Sequence, residues 1–254
     1  MKIALDRKFN INFASKHRDV RKADDLMRET QNKFPTFCPS YADFFYKSLD
    51  ADCFEKSYNR DKFIDGIATK FVENVRIPTD AVEDASQPPF AYQFLLDTLK
   101  EYKMANCKEA SNLMLCALYA NGFYKSQVVN LGFDYTVFDN KTSNVIYRDS
   151  HYIDHCFVLT TRNNDKRADE NNAFVVDSWL NYCGDSKDAK GKYKALFAKD
   201  IDKFIKADLK KEGIDIDDVS IKVSPYYYFS TNHDEKTAKA IADMTLSKYD
   251  NLKH

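Results

Sequence analysis

One change of pattern constrains this fold more than any other feature. Before Gly122 the apolar residues recur at helical spacing; after it they gather in short β-branched and aromatic runs between polar turns. On the N-terminal side, Val20, Ala23, Leu26, Met27 and Thr30 form one stripe, closed by Pro35. Pro39 and Ser40 introduce an aromatic segment from Tyr41 to Tyr46, and Phe63, Ile64, Ile67, Phe71, Val72 and Val75 form a third stripe. Residues 77–89, ending in Gln-Pro-Pro, read as the clearest break in the chain. A helix is expected over 90–102, and another from Cys107 to near Gly122. Strands are expected at 128–138, 145–148, 152–161 and 173–180, with a polar loop over 163–172. Helices return at 198–212 and 235–248, around two late strands at 219–223 and 226–229. Helices first and strands afterwards imply α+β with an antiparallel sheet, not an alternating βαβ fold. The expected organisation is one compact domain with a helical N-terminal portion (1–89), a core (90–182) and C-terminal helices with late strands (183–254).

Composition removes several function classes. With 254 residues, 44% hydrophobic and 30% charged, the chain is long enough for a substantial core and is not of a disordered type. A formal net charge of -1 argues against a nucleic-acid partner held by a broad basic surface. No stretch approaches the roughly 18 apolar residues of a membrane span. The opening Met-Lys-Ile-Ala-Leu-Asp-Arg-Lys has no apolar h-region, so the expected setting is cytoplasmic, or outside the cell by a route without a cleavable signal peptide. The six scattered cysteines are then expected to be reduced.

Three residues stand where acyl-transfer chemistry would need them. Cys107 opens an apolar helix in Asn-Cys-Lys-Glu-Ala-Ser-Asn-Leu. A helix N-terminus favours a thiolate through its unpaired N–H groups and dipole, and Asn106 with Glu109 completes a capping box that starts the helix at Cys107. Ala110, Leu113, Met114, Ala117 and Leu118 form the stripe expected to bury it. The Cys107 N–H would supply half of an oxyanion hole, with Gln93, Tyr102 and Asn106 as candidates for the other half. His155 heads the strand-like His-Cys-Phe-Val-Leu, with His151 in reserve on the same face. Asp177 interrupts the apolar run Phe-Val-Val-Asp-Ser-Trp-Leu, where a carboxylate needs a partner, and His155 would donate its Nδ1–H. Trp179 shares its parity and is expected to wall the site. Cys156, next to His155, is expected to face the other way.

Asn-Cys-Lys-Glu-Ala-Ser-Asn-Leu, Asp-His-Cys-Phe-Val-Leu and Val-Val-Asp-Ser-Trp-Leu together resemble the cysteine, histidine and aspartate blocks of the transglutaminase-like branch of the papain-like cysteine superfamily. The last block is similar to an Asp-Pro-Trp version in bacterial toxin and effector members, with Ser178 in place of the proline. The resemblance covers residues 90–182. It implies a Cys107–His155–Asp177 triad acting on a protein or peptide substrate, a host protein in the effector case, without metal or organic cofactor. Lys100 and Glu101 stand where the papain subgroup has its oxyanion glutamine. Two other readings of the residues stay open: an inactive binding module of this fold that holds a protein partner, and a metal site from His151, His155, Cys156 or Cys183. His-x-x-x-His suits a helix face better than a strand.

Overall fold

The computed structural model describes residues 18–36, 65–161 and 173–249. The aromatic segment at 41–46, the start of the third stripe and the 163–172 loop lie outside the described residues, as do Cys38 and Cys53. The rest is a mixed helix-and-sheet fold around one five-stranded antiparallel sheet. Helix α1 is Arg18–Lys33, and it buries Val20, Ala23, Leu26, Met27 and Thr30, the stripe expected from sequence. Residues 65–71 are helical and run through a π-helical turn at Val72–Arg76 into α2, Ile77–Ala85. The expected break at 77–89 is therefore mostly helix, since proline at the second position of α2 costs no internal hydrogen bond. Of the third stripe, Phe71 and Val75 are buried while Val72 is exposed.

Helix α3, Pro88–Tyr102, ends at Lys103 in the left-handed region (φ 54°), and α4, Cys107–Ala120, follows. Gly122, at φ 87°, turns the chain out of α4 into the sheet. The strands are β1 (Gln127–Asp139), β2 (Val145–Thr161), β3 (Ala173–Asp177) and β4 (Tyr182–Asp185). Two helices follow, α5 (Ser186–Leu196) and α6 (Ala198–Lys211), then β5 (Val219–Thr231) and α7 (Glu235–Lys248). Strand order is β4-β3-β2-β1-β5. The two runs expected at 145–148 and 152–161 are one strand, and so are the two late ones; β4 and α5 went unforeseen.

Both faces of the sheet are covered, but over different lengths. Val128, Cys156, Val158, Phe174 and Val176 pack with α1, α3, α4 and α7 in one core. Val129, Phe133, Tyr135, Phe157 and Val175 pack with α5 and α6 in another. Ser111 to Tyr119 of α4 are all buried, so this helix is enclosed all round rather than along the single expected stripe. Along β2, burial is continuous from His155 to Thr161 and falls away towards Val145, where among the described residues the first face has no helix over it. Cys107 stands at that margin. Among the described residues, no helix is long and apolar enough to cross a membrane.

Candidate active site

The N-terminus of α4 is fixed by charges as well as by its cap. Glu109, 2% exposed, accepts the Asn106 N–H at 3.0 Å and completes the reciprocal capping box. Arg76, delivered by the π-helical turn, clamps the same carboxylate through Nε at 2.6 Å and Nη2 at 3.2 Å. Lys108 reaches Asp80 and Glu83 of α2 at 2.8 and 2.9 Å. Asn106 thus works as the cap. Among the described residues Gln93, half-buried on α3, makes no hydrogen bond to Cys107, and the exposed Tyr102 makes none either.

Strand β2 supplies the base through an irregularity. Ile153 pairs with Leu131 and Cys156 with Asn130, so Asp154 and His155 are extra residues with no partner on β1. A bulge of this kind bends a strand and re-aims its side chains. The Asp154 carbonyl oxygen lies 4.0 Å from Cys107 Sγ, which brings the bulge against the start of α4. His155 is 2% exposed and Asp177, the last residue of β3, is fully buried. Val158 pairs with Val176, which places Asp177 diagonally from His155, within reach of a long side chain.

His155 Nε2 lies 2.7 Å from Asp177 Oδ2. The expectation was an Nδ1 contact; the ring uses its other nitrogen, because the carboxylate lies beyond the ring's far edge. Tyr193 on α5 donates to the same oxygen at 2.8 Å, and the Leu180 N–H donates to Oδ1 at 3.0 Å. The turn after Asp177 is pinned from both sides: Ser178 Oγ donates to the Ala110 carbonyl at 3.2 Å, and Gln31 of α1 donates to the Ser178 carbonyl at 2.6 Å. Trp179 walls the ring at a 5.0 Å centroid distance, with Phe157, Tyr193 and Phe197 around it. Among the described residues, His155 Nδ1 is buried with no hydrogen-bond partner.

The electrostatics favour a charged pair. Burial alone pulls the His155 pKa down, but the Asp177 charge and hydrogen bond outweigh it, and with help from Cys107 it rises to about 9. The half-buried Cys107 is drawn down to about 5. The leading cause is the Cys156 thiol beside it; burial opposes it, and the nearby His155 adds its positive charge. Cys116 moves the other way, up to about 12, through burial. Cys156 does face away from His155 along the strand, but that other face is the one α4 covers, so its thiol meets Cys107.

Arg76, Tyr193, Gln31 and Cys156 were not legible as parts of the site. Only Tyr193 left a trace, in its i,i+4 relation to Ala189 within a lysine-rich stretch. The suggested metal set is not gathered: His151 pairs with Asp208 of α6, while Cys183 lies 3.5 Å from the Val20 carbonyl. Asp149, His151 and Asp208 do bring ligand atoms within 4.8 Å of one another. Their oxygens and nitrogen are engaged by each other, by Tyr147 and by Tyr135, which makes this a pin between strand and helix.

Beyond Cys107 the first face of the sheet carries a row of tyrosines. Gly132 stands between Tyr152 and Tyr226 in adjacent strands, and the Tyr228 ring packs at a tilt against Tyr152, 4.6 Å between centroids. A Cβ on Gly132 would meet the Tyr226 ring at 2.6 Å, so only glycine lets that ring lie flat on the sheet. Tyr152 is 64% exposed. No family model, no curated protein and no solved structure matches the chain.

Proposed function

We propose that this chain is a cysteine-dependent acyl-transfer enzyme with a transglutaminase-like core, acting on protein amide groups through Cys107, His155 and Asp177. One observation carries the reading: a fully buried histidine is anchored through Nε2 to a buried aspartate, while its Nδ1 has no partner among the described residues and lies beside an acidified cysteine. A buried polar atom without a partner is a cost to the fold, and a proton transfer during turnover gives it a purpose.

In this reading the resting pair is thiolate and imidazolium. Cys107 attacks a carboxamide or peptide carbonyl, and the oxyanion forms against the N–H groups at the start of α4. His155 Nδ1 delivers its proton to the departing ammonia or amine, leaving a thioester on Cys107. Water then yields a carboxylate, or a second amine yields a new amide, with His155 taking a proton from either. Asp177 keeps the ring oriented and stabilises its charge, and Tyr193 holds Asp177. The tyrosine row beside Asp154 favours a polypeptide substrate, which would lie along that sheet face with its scissile amide at Cys107.

The test is the pH dependence of iodoacetamide alkylation, located by peptide mass spectrometry, in wild type and His155→Ala. Selective labelling of Cys107 at pH 6 that is lost in the variant is the expected result. Labelling as slow as at the other cysteines would overturn the reading and leave an inactive module that holds a protein partner.

A further inference from the structure

Cys156 is a buried nucleophile that acyl transfer leaves unused. A serine at its position could supply the same hydrogen bond to Cys107, so the chemistry above gives no reason for a thiol there. The geometry does. Helix α4 and strand β2 lie side by side: Cys107 Sγ is 4.0 Å from the Asp154 carbonyl, and Ser111 Oγ donates to the Cys156 carbonyl at 2.9 Å. One helical turn on α4 therefore matches two residues on β2, about 6 Å in each case. Both cysteines lie at this seam and in the same apolar cluster.

We infer that Cys156 is the resolving partner of Cys107, and that oxidation closes a reversible Cys107–Cys156 disulfide that switches the enzyme off and shields its nucleophile from irreversible oxidation. The proposal rests on Cys107 being the reactive thiol of the function above. The two cysteines divide the labour by exposure: Cys107 is half-buried and can meet an oxidant, whereas Cys156 is 4% exposed. Burial and the neighbouring Cys107 also hold the Cys156 proton in place, so it is not the first site attacked.

The chemistry balances with a peroxide as the oxidant. The Cys107 thiolate attacks one peroxide oxygen; an S–O bond forms, the O–O bond breaks, and the hydroxide released takes up a proton. Cys156 then gives up its proton and attacks the sulfenic sulfur, forming the S–S bond and expelling the oxygen as water. Two thiols lose two electrons, and one hydrogen peroxide becomes two waters. A dithiol reductant reverses the step by exchange, with its own two electrons. Cys116 lies nine residues further along α4 and Cys183 sits beside α1, both buried.

The test uses the full reduced chain and one equivalent of hydrogen peroxide, followed by tryptic digestion without reductant. The expected product is the peptide Met-Ala-Asn-Cys-Lys (104–108) linked to Asp-Ser-His-Tyr-Ile-Asp-His-Cys-Phe-Val-Leu-Thr-Thr-Arg (149–162). Dithiothreitol should restore most of the Cys107 alkylation. In Cys156→Ser, and in Cys156→Ala if the serine disturbs folding, one equivalent should leave Cys107 as sulfenic acid with no linked peptide, and a second equivalent should carry it to sulfinic acid that dithiothreitol does not reverse, whereas the wild-type disulfide resists that second equivalent. Loss of Cys107 alkylation in wild type without the linked peptide overturns the switch, even where fast alkylation supports acyl transfer. A linked peptide from a chain whose Cys107 labels no faster than its other cysteines supports the disulfide and sinks the catalytic reading instead.

Discussion

The same constellation occurs twice on β2. At His155, Nε2 meets Asp177 Oδ2 and a tyrosine, Tyr193, donates to that oxygen at 2.8 Å. Four residues earlier His151 Nε2 meets Asp208 Oδ2, and Tyr135 donates to that oxygen at 2.7 Å. In each case one partner comes from a helix packed on the second face of the sheet, Tyr193 of α5 or Asp208 of α6, and the other from a strand next to β2, Asp177 of β3 or Tyr135 of β1. The first is sealed among aromatic rings beside a helix N-terminus and a thiol, whereas the second is half-open, with Phe204 stacked on its ring. A His–Asp–Tyr arrangement is therefore no signature of catalysis by itself. What separates the two is the thiol at a helix N-terminus beside the first ring.

The sharpest way to break this comparison is to remove each aspartate. Asp177→Ala leaves a buried imidazolium and a buried phenol without their acceptor, and should cost about 3–5 kcal/mol in urea unfolding. Asp208→Ala, nearer solvent, should cost about 1–2 kcal/mol. Equal losses would mean that the pairs are equivalent pins. The next contrast follows from protonation. His155, raised to about 9, adds stability that is fully present below its ordinary 6.5 and is lost as pH rises through 9. The stability gap between wild type and His155→Ala should narrow between pH 6 and pH 10 by on the order of 2–3 kcal/mol. Cys107 runs the other way: its contribution is present above the ordinary thiol value and is lost as pH falls through about 5. A third contrast is in reactivity. His155→Ala should slow Cys107 alkylation at pH 6 by about tenfold or more, while His151→Ala should change it by less than about twofold. The smallest effect belongs to Gln31→Ala, which removes one hydrogen bond to the turn after Asp177 and should cost about 1 kcal/mol with little change in alkylation.

The residues that meet at the candidate site were more legible in the sequence than their supports. Helix capping is local, so Asn106, Cys107 and Glu109 could be read as the start of α4 from three residues. The α1 stripe and the bounds of α7 follow from helical periodicity in the same way. A carboxylate amid valines advertised a partner across the sheet, and His155 is where the chain puts one. The bulge at Asp154 was hidden, because two extra residues preserve the alternation of a strand and leave no trace in its pattern. β2 looked like two strands for another reason, the polar Asp149-Ser150-His151 between its runs. Arg76 and Gln31 act across long separations in the chain, and nothing in their own neighbourhoods marks them. Cys156 was judged by its face alone; that the helix covers this face is a matter of packing, which alternation does not encode.

The chain has a single tryptophan, and it lies against the histidine of the candidate triad. Indole emission is quenched by a protonated imidazole in contact with it and recovers when the proton leaves. Excited at the red edge, where tyrosines do not absorb, Trp179 becomes a native optical reporter of a single proton. The intensity would rise as His155 neutralises, without any dye, and a stopped-flow trace would record that proton leaving and returning within a turnover.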